Sequence, residues 1–324
     1  MTLNERKEYN VSVVVCTKDR PLELISCICS ILKQDYPFLE IIIIDASSNK
    51  EALNILFQEI PDKDRFLIKY IHSKAHYSYQ KNIGIKQSTG DIVLFIDDDV
   101  EIKDNFIRNI IKVFKYNAYK RVGGVTGCDI SVKRIPKLSL RNLTRTLFFL
   151  NNYGNGRFRL SRLHTSPVGL RGIRKTDFLP GAYTAYRKEV LIEVGLLDEN
   201  FEGHSPFEDV DLSYRVSRKY LNYYTEYAKC IHKASLKSRL SIDKYNERIL
   251  GSYRYYFNKD IQKNIFASMA YKIASWGIEK KFYYMTEEDI VLFFLRKLFN
   301  DSLTEKLIQL KRRIIKFNNN EVKK

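Results

Sequence analysis

The chain has 324 residues, of which 44% are hydrophobic, and this length suits one large α/β domain with an extension, or two modest domains. That apolar content excludes a mainly disordered chain. Its 55 lysines and arginines outnumber its 38 aspartates and glutamates, and the net charge of +17 suits an anionic partner such as nucleotide phosphates, nucleic acid, acidic polysaccharide or lipid headgroups.

The cysteines and the N-terminal sequence indicate where in the cell the protein is found. The five cysteines show no C-x-x-C spacing and mostly lie in apolar runs, which is typical of reduced, buried thiols. The sequence MTLNERKEYN lacks the apolar core of a signal peptide, and no apolar run approaches the roughly 18 residues of a membrane span. We therefore expect a cytoplasmic protein, either soluble or peripheral at the inner face of the cell membrane.

Predicted strands and helices alternate through the first half of the chain. VSVVVC predicts a buried strand, and PLELISCICSILKQ has apolar residues at helical spacing. The strands EIIIID, RFLIKYI and DIVLFI then alternate with the helices EALNILFQEI and YSYQKNIGIKQS. Continuous Ile and Val runs indicate strands covered on both faces, and the alternation indicates parallel βαβ units. The sequence therefore predicts an α/β fold with a Rossmann-like, mostly parallel central sheet flanked by helices.

Polar residues follow these strands at the point where each strand ends. TKDR follows the first strand, Asp45 begins the polar turn after the second, and Asp97, Asp98 and Asp99 follow the fourth. Because ligands bind outside the carboxyl ends of the strands in such sheets, these clusters predict the ligand edge. The chain has neither G-x-G-x-x-G after the first strand nor G-x-x-x-x-G-K-[ST], which disfavours the dinucleotide and P-loop versions of this architecture.

The stretch 130–176 contains eleven basic residues and no acid. Among these basic residues are Lys133, Arg134, Arg157, Arg159, Arg171, Arg174 and Lys175. One interpretation is a solvated, loop-rich surface. The other is an electropositive face for an anionic acceptor or a membrane surface.

The rest of the chain returns to α/β patterning and then becomes helical. FEDVDLSYRVSRKY places Glu208, Asp209 and Asp211 at a predicted helix start, where the helix dipole favours carboxylates, so ordinary capping is one interpretation. After Cys230 the sequence is helical, aromatic and basic. Its last segment carries an apolar stripe that packs on the domain or a partner, or contacts a membrane surface. The stripe consists of Leu303, Leu307, Leu310, Ile314 and Phe317.

Five motifs, in this order, resemble the family 2 glycosyltransferases. They are VSVVVCTKDRPLEL, EIIIIDASS, QKNIGIKQSTGDIVLFIDDDV, GAYTAYRKEVLIEVGLLDENF and FEDVDLSYRV. The resemblance implies the GT-A fold and an inverting enzyme that uses a nucleotide sugar. It predicts a GT-A domain over residues 1–235, with a nucleotide-binding half to about 130 and an acceptor-binding half beyond it, and a helical, basic C-terminal extension over 236–324.

By this resemblance the acids at the end of the fourth strand form the family's Asp-x-Asp motif. A divalent cation, Mg²⁺ or Mn²⁺, stabilises a departing diphosphate as a Lewis acid and takes oxygen ligands. The resemblance implies that Asp99 and Asp97 ligate the metal, and that Asp98 contacts the donor or the metal. His232 matches a family histidine that ligates the metal or touches the diphosphate. An acidic turn or helix cap, and a merely packed histidine, are the alternatives.

The resemblance also implies a set of contacts to the sugar nucleotide. They are Thr17, Asp19, Arg20, Asp45, Lys81, Asn82, Asp97, Asp98 and Gly181. A carboxylate at Asp45 can accept a hydrogen bond from a uracil or other base N–H, and we expect a UDP-type donor. The family often shows two acids at this turn, whereas Ala46 follows Asp45 here. The identity of the donor's nucleobase therefore stays open. Lys81 stands where many relatives carry Arg, so it keeps the charge but loses the bidentate fork.

Sugar transfer also needs a base, because an acceptor hydroxyl is a poor nucleophile until it loses its proton. Asp209 fits the family's catalytic aspartate, with Glu208 as its supporting neighbour. The acceptor is then a hydroxyl of a glycan or of a lipid-linked saccharide.

Other classes of protein compete with this interpretation. A nucleic-acid-binding protein would suit the charge, but no RNA- or DNA-binding motif is present. A catalytically silent protein on the same fold is disfavoured because the metal, base and nucleotide positions hold competent residue types. A nucleotidyltransferase should show a Gly-rich basic loop near the N-terminus, and CTKDRPLEL has none. An anionic membrane surface and a homo-oligomer stay open as partners.

Overall fold

The computed structural model describes residues 8–37, 39–49, 51–65, 67–116, 121–132, 139–150, 152–201, 206–233, 242–259, 264–282 and 285–298. The predicted apolar stripe of the last segment lies outside these residues, as do Lys133 and Arg134 of the basic stretch.

The first half of the chain alternates strands and helices, as predicted. Its strands are β1 (Val11–Thr17), β2 (Leu39–Asp45), β3 (Ile68–His72) and β4 (Ile92–Asp97). Its helices are α1 (Pro21–Leu32), α2 (Glu51–Glu59), α3 (Asp62–Arg65) and α4 (Tyr77–Gln87). β3 begins three residues later than RFLIKYI predicts, because Arg65 ends α3 and its Nε donates to the carbonyl of Ile60 over 3.0 Å.

The second half combines short and long elements. Its strands are β5 (Val100–Ile102), β6 (Val122–Asp129), β7 (Asn152–Tyr153), β8 (Thr165–Ser166), β9 (Ile173–Thr176), β10 (Tyr183–Arg187) and β11 (Leu221–His232). Its helices are α5 (Phe106–Tyr116), α6 (Leu140–Leu147), α7 (Lys188–Glu193), α8 (Glu208–Lys219), α9 (Ile242–Lys259), α10 (Ile265–Glu279) and α11 (Glu287–Leu298).

The main sheet runs in the order β3-β2-β1-β4-β10-β6-β11-β5, and β9 also pairs with β11. The first four strands are mutually parallel. β10 is antiparallel to both of its neighbours, whereas β11 is parallel to β6 and antiparallel to β5 and β9. The predicted α/β class is confirmed, with a parallel first half and a mixed second half.

Helices cover both faces of the parallel half. Val13 and Val15 of β1 belong to one buried apolar cluster, and Val14 and Cys16 belong to another on the opposite face. α4 packs closely on the second face at Gly84, where an added Cβ would lie 2.3 Å from Val14 Cγ1. The missing side chain therefore lets α4 approach β1 closely at Val14.

A third apolar cluster joins the C-terminal helices to the preceding segments. Its buried members from residues 150–210 are Leu150, Leu163, Phe178, Phe201, Phe207 and Val210. Its buried members from α9, α10 and the turn after α10 are Tyr253, Tyr256, Ala274, Ile278 and Phe282. The described part of the predicted extension thus shares a core with the domain before it.

Two properties of the described residues relate to the predicted cellular location of the protein. The five cysteines are all free thiols. Among the helices of the described residues, none has both the length and the apolar character that a membrane crossing requires. The cytoplasmic location stays a prediction.

Candidate functional site

The carboxyl ends of three adjacent strands form one edge of the sheet. Thr17 at the end of β1 is paired in register with Asp45 at the end of β2. Cys16 is paired with Asp97 at the end of β4. The polar clusters that the sequence assigns to the ligand edge are therefore neighbours.

The middle acid of the Asp-x-Asp motif binds groups of the protein. Thr17 Oγ1 donates to Asp98 Oδ2 over 2.8 Å, and Arg20 Nη1 donates to Asp98 Oδ1 over 3.1 Å. Only 5% of Asp98 is exposed. Burial raises the pKa of Asp98 to about 7, although the Arg20 charge and the Thr17 hydrogen bond oppose the rise. Arg20 also lies 3.7 Å from Asp99, so this arginine links the β1–α1 loop to two of the acids.

The outer two acids meet a histidine from the far end of the chain. β11 pairs with β5, which places His232 opposite Val100 and beside Asp99. One ligand atom from each of Asp97, Asp99 and His232 lies within 4.8 Å of the others, and His232 Nε2 is 3.1 Å from Asp99 Oδ1. Burial lowers the pKa of His232, but the hydrogen bond to Asp99 and the charges of both acids outweigh it and raise the pKa.

Two members of this group, Asp97 and Asp99, provide the carboxylate oxygens that a hard divalent cation such as Mg²⁺ or Mn²⁺ prefers, and His232 adds one nitrogen ligand. Three ligands leave coordination positions for other oxygens. β5 separates the acids from α5, so they do not form the N-terminal cap of that helix. The sequence alternative of a helix cap therefore does not describe these residues.

The turns after β1 and β2 are joined by side-chain hydrogen bonds. Asp19 has a positive φ of 54°, its N–H donates to Ser47 Oγ over 2.7 Å, and its Oδ1 accepts from the Ser48 N–H over 3.1 Å. Asp45 is 1% exposed; its Oδ1 accepts from the Ser47 N–H over 2.8 Å and its Oδ2 accepts from the Tyr70 hydroxyl. The N–H of a nucleobase would therefore have to share a carboxylate oxygen of Asp45 with these protein donors.

A glycine connects the predicted base to a buried lysine. The Gly181 N–H donates to Asp209 Oδ2 over 3.0 Å, and Lys81 Nζ donates to the Gly181 carbonyl over 3.0 Å. Lys81 Nζ also lies 4.2 Å from the ring centre of Tyr77 and 5.2 Å from that of Phe95. An added Cβ at Gly181 would lie 3.1 Å from both Lys81 Nζ and Asp209 Cβ, so a side chain at this position would crowd both groups.

The two acids that begin α8 are buried. Burial and repulsion by Asp209 raise the pKa of Glu208, while Lys81 opposes the rise. Burial also raises the pKa of Asp209, and Lys81 and the Gly181 hydrogen bond lower it. Within the described residues, Glu208 Oε2 is buried without a hydrogen-bond partner. The pair is thus poised to hold a proton at a pH where exposed carboxyls are ionised.

Asn82 has a different set of contacts from the other residues assigned to the donor. Its Nδ2 donates to the Leu197 carbonyl over 2.9 Å and to Glu199 Oε1 over 2.8 Å, and its Oδ1 accepts from the Leu197 N–H over 3.0 Å. These bonds hold the segment that follows α7. The donor contact of Asn82 stays a prediction.

Three residues at this edge were not identified from the sequence. The Tyr77 hydroxyl donates to Asp97 Oδ1, and the Tyr70 hydroxyl donates to Asp45. Gln80 Nε2 donates to the carbonyls of Ile44 over 2.9 Å and Thr17 over 3.3 Å. The available signal was their place in a strand and a helix of the βαβ unit that ends at this edge.

Comparisons with known proteins agree on one class. The family model described as Glycosyl transferase family 2 matches residues 12–195. The glucosyl-dolichyl phosphate glucuronosyltransferase of Haloferax volcanii is 29% identical over 59% of this chain and 56% of its own length. The GalNAc(5)-diNAcBac-PP-undecaprenol beta-1,3-glucosyltransferase of Campylobacter jejuni is 33% identical over 32% of this chain and 33% of its own length.

Structural comparison extends over more of the chain. The mannosyltransferase PcManGT from Pyrobaculum calidifontis, solved with GDP-Man and Mn²⁺, is similar with a TM-score of 0.56 and 16% identity. The match covers 94% of this chain and 85% of that one. By contrast, the matches to the first curated relatives span only between 33% and 56% of those relatives' lengths.

Proposed function

This chain belongs to glycosyl transferase family 2 and is a glycosyltransferase with the GT-A fold, and we propose that it inverts the anomeric carbon as it transfers a sugar from a nucleotide diphosphate to an acceptor hydroxyl. The observation that carries the proposal is the meeting of Asp97, Asp99 and His232 at the ligand edge. The buried Asp209, which accepts a hydrogen bond from the Gly181 N–H, would remove the proton of the acceptor hydroxyl.

The metal-binding role belongs to Asp97, Asp99 and His232. The cation, Mg²⁺ or Mn²⁺, when bound, acts as a Lewis acid that stabilises negative charge on the departing diphosphate. Tyr77 holds Asp97 through its hydroxyl, and Arg20 holds the turn through Asp98 and Asp99. The Mn²⁺ in the related mannosyltransferase structure supports this role.

Asp209 takes the acceptor proton in this proposal. Its carboxylate is oriented by the Gly181 N–H, and the Lys81 charge favours its ionised form. Proton removal as the new bond forms makes the acceptor hydroxyl a competent nucleophile. Direct attack on the face opposite the leaving diphosphate inverts the anomeric carbon. Glu208, buried beside Asp209, supports it by retaining a proton and so limiting like-charge repulsion.

We propose a UDP-type donor and a glycan or lipid-linked acceptor. The names of two relatives describe dolichyl phosphate and PP-undecaprenol saccharides, which supports a lipid-linked acceptor. The mannosyltransferase structure contains GDP-Man, so a guanine nucleotide is the competing donor. Asp19, Asp45 and Thr17, at the ends of β1 and β2, form the side of the edge that we assign to the nucleoside.

The test is calorimetric titration of the whole chain with UDP and GDP, with Mn²⁺, with Mg²⁺ and with a chelator. We expect one nucleotide to bind in a metal-dependent manner. Asp209→Asn should keep that affinity and lose transfer by about 100-fold or more, the lower range for loss of general base catalysis.

Two results would count against the proposal. Unchanged transfer by Asp209→Asn removes this residue from the mechanism. Tight, strongly salt-dependent binding of nucleic acid, with no nucleotide binding, would instead support the nucleic-acid alternative.

A further inference from the structure

Helix α10 carries apolar side chains on its exposed face. Five of them expose between 37% and 70% of their surface, namely Ile265, Phe266, Met269, Ile273 and Trp276. The helix buries the opposite face through Ala267, Ala270, Ala274, Gly277 and Ile278. The spacing of the five exposed residues places them on one side of the helix over three turns. We call these five residues the α10 surface.

Trp276 of the α10 surface packs against partly buried aromatic rings at two other helices. The Trp276 ring lies 5.3 Å from that of Phe148, at the end of α6, and 6.0 Å from that of Phe293 in α11. The neighbouring residues Leu147 and Phe294 are 63% and 37% exposed. Scattered exposed apolar residues are ordinary, but a grouped set of this kind marks an interaction surface.

The charged residues beside this surface are mainly basic. Lys272 and Lys280 lie at helical spacing from Met269 and Trp276, and Glu279 is the one acid of α10. The eight residues of α6 include two arginines and no acid. The acids of α11, Glu287, Glu288 and Asp289, lie at its start, whereas the end next to Phe293 and Phe294 carries exposed Arg296 and Lys297. A second copy of this chain would present the same basic border, so like charges would oppose its docking here. An anionic surface complements both the apolar centre and the basic border.

We propose that the α10 surface lies on an anionic lipid bilayer. Its apolar side chains enter the boundary between headgroups and acyl chains, and the flanking lysines and arginines contact the headgroups. Both parts are needed, since the apolar side chains lose contact with water while the cations stay at the polar layer. The inference rests on the proposed function in one respect, because a lipid-linked acceptor would present its sugar to an enzyme at that surface.

Trp276 provides a direct probe, since it is the single tryptophan of the chain. We expect its emission to shift to the blue when the full chain meets vesicles containing phosphatidylglycerol. Brominated acyl chains should quench the shifted emission. Vesicles of phosphatidylcholine alone should give a weaker shift, and salt should weaken binding to the anionic vesicles.

Variants test which residues are responsible. The double variant Phe266→Ser, Met269→Ser should weaken vesicle binding by at least about tenfold, because two apolar side chains are removed from the contact. Ile192→Ser is the matched control, since Ile192 is 58% exposed on α7 and lies outside the α10 surface. This control should bind vesicles like the parent chain.

Several outcomes would overturn the proposal. An emission spectrum that vesicles do not change would do so. A dimer seen by light scattering, with Trp276 shielded from aqueous quenchers without lipid and exposed again in the double variant, would assign the surface to a second copy. The same shielding in a monomer would assign it to another part of this chain. Vesicle binding is measured without donor or acceptor, so failure of sugar transfer does not affect its outcome.

Discussion

At the scale of single residues, the three consecutive aspartates make two separate sets of contacts. Asp98 is held by Thr17 and Arg20, whereas Asp97 and Asp99 lie with His232. Successive side chains near the end of a strand point to opposite sides, which is consistent with this division. The repulsion among the acids is thus partly offset by a protein cation before any metal binds.

The division predicts different results for two isosteric substitutions. Asp99→Asn should weaken the Mn²⁺-dependent affinity for the nucleotide by at least about 10-fold, since it removes a charged ligand and loss of a residue that only supports a ligand already costs about that much. Asp98→Asn should change that affinity less, because its oxygens contact Thr17 and Arg20. Calorimetry with and without Mn²⁺ measures both. Equal losses of metal-dependent affinity in the two variants would contradict the division.

The pH dependence of transfer reports on Lys81. A base must be ionised to act, and burial raises the pKa of Asp209 while Lys81 lowers it. Activity should therefore fall as the pH drops through a value above the usual carboxyl pKa of about 4. Lys81→Met removes the positive charge that lowers the pKa of Asp209. The fall in activity at low pH, which we call the acidic limb of the pH profile, should therefore move to higher pH.

Controls separate this electrostatic role from donor binding. Lys81→Arg keeps the charge and should leave the acidic limb near its original pH. The affinity for the nucleotide is measured on the same variants. In the contrary outcome, Lys81→Met loses affinity for the donor while activity falls at the same pH as in the parent chain. That result would show that the lysine contacts the donor and does not set the pKa of Asp209.

At the scale of elements, α9 holds α8, the helix that carries the proposed base Asp209. Asp211, two residues after Asp209, is fully buried and lies 3.1 Å from Lys259 Nζ and 2.7 Å from Arg215 Nη2. Lys259 also lies 2.5 Å from Asp198. These ion pairs connect α8, the segment after α7 and the last residue of α9. Part of the predicted C-terminal extension thus orients the first turn of α8.

Removal of the lysine should reveal this connection. Lys259→Met leaves the buried Asp211 with Arg215 as its remaining ion-pair partner among the described residues, and we expect a loss of about 1–3 kcal/mol in the free energy of unfolding. Denaturant unfolding measures the change. Arg254→Met, at an exposed position on the same helix, is the control and should change stability little. Equal stability of both variants would show that the ion pair contributes nothing measurable.

At the scale of the whole molecule, the predicted GT-A domain and the C-terminal helices share an apolar core. The Phe207 ring, directly before α8, lies 5.6 Å from that of Tyr253 and 5.9 Å from that of Tyr256. Both tyrosines are fully buried. The predicted division at residue 235 separates α/β sequence from helical, basic sequence. In the structure, side chains from both sides of this division pack in the same core.

Truncation tests how far the predicted domain is independent. A chain ending at residue 235 would expose Phe207 and Val210, which pack in this core, so we expect it to unfold at a lower temperature and to be cleaved faster by protease than the full chain. Thermal unfolding and limited proteolysis check this. Equal melting temperatures would establish 1–235 as a domain that folds by itself.

The sequence by itself determined the alternation of strands and helices, the ligand edge and the five family motifs. Each of these follows from short-range pattern, such as the continuous Val run of β1 or the acids after β4, and strand direction then places the strand ends together. The tertiary structure alone decided which groups meet there. His232 reaches Asp99 through the pairing of β11 with β5, and Gly181 joins Lys81 to Asp209 because β10 and α8 pack beside α4. The contact between Lys81 and Gly181 spans 100 residues of the chain and that between Gly181 and Asp209 spans 28. No local propensity encodes such contacts, because they depend on how the elements pack.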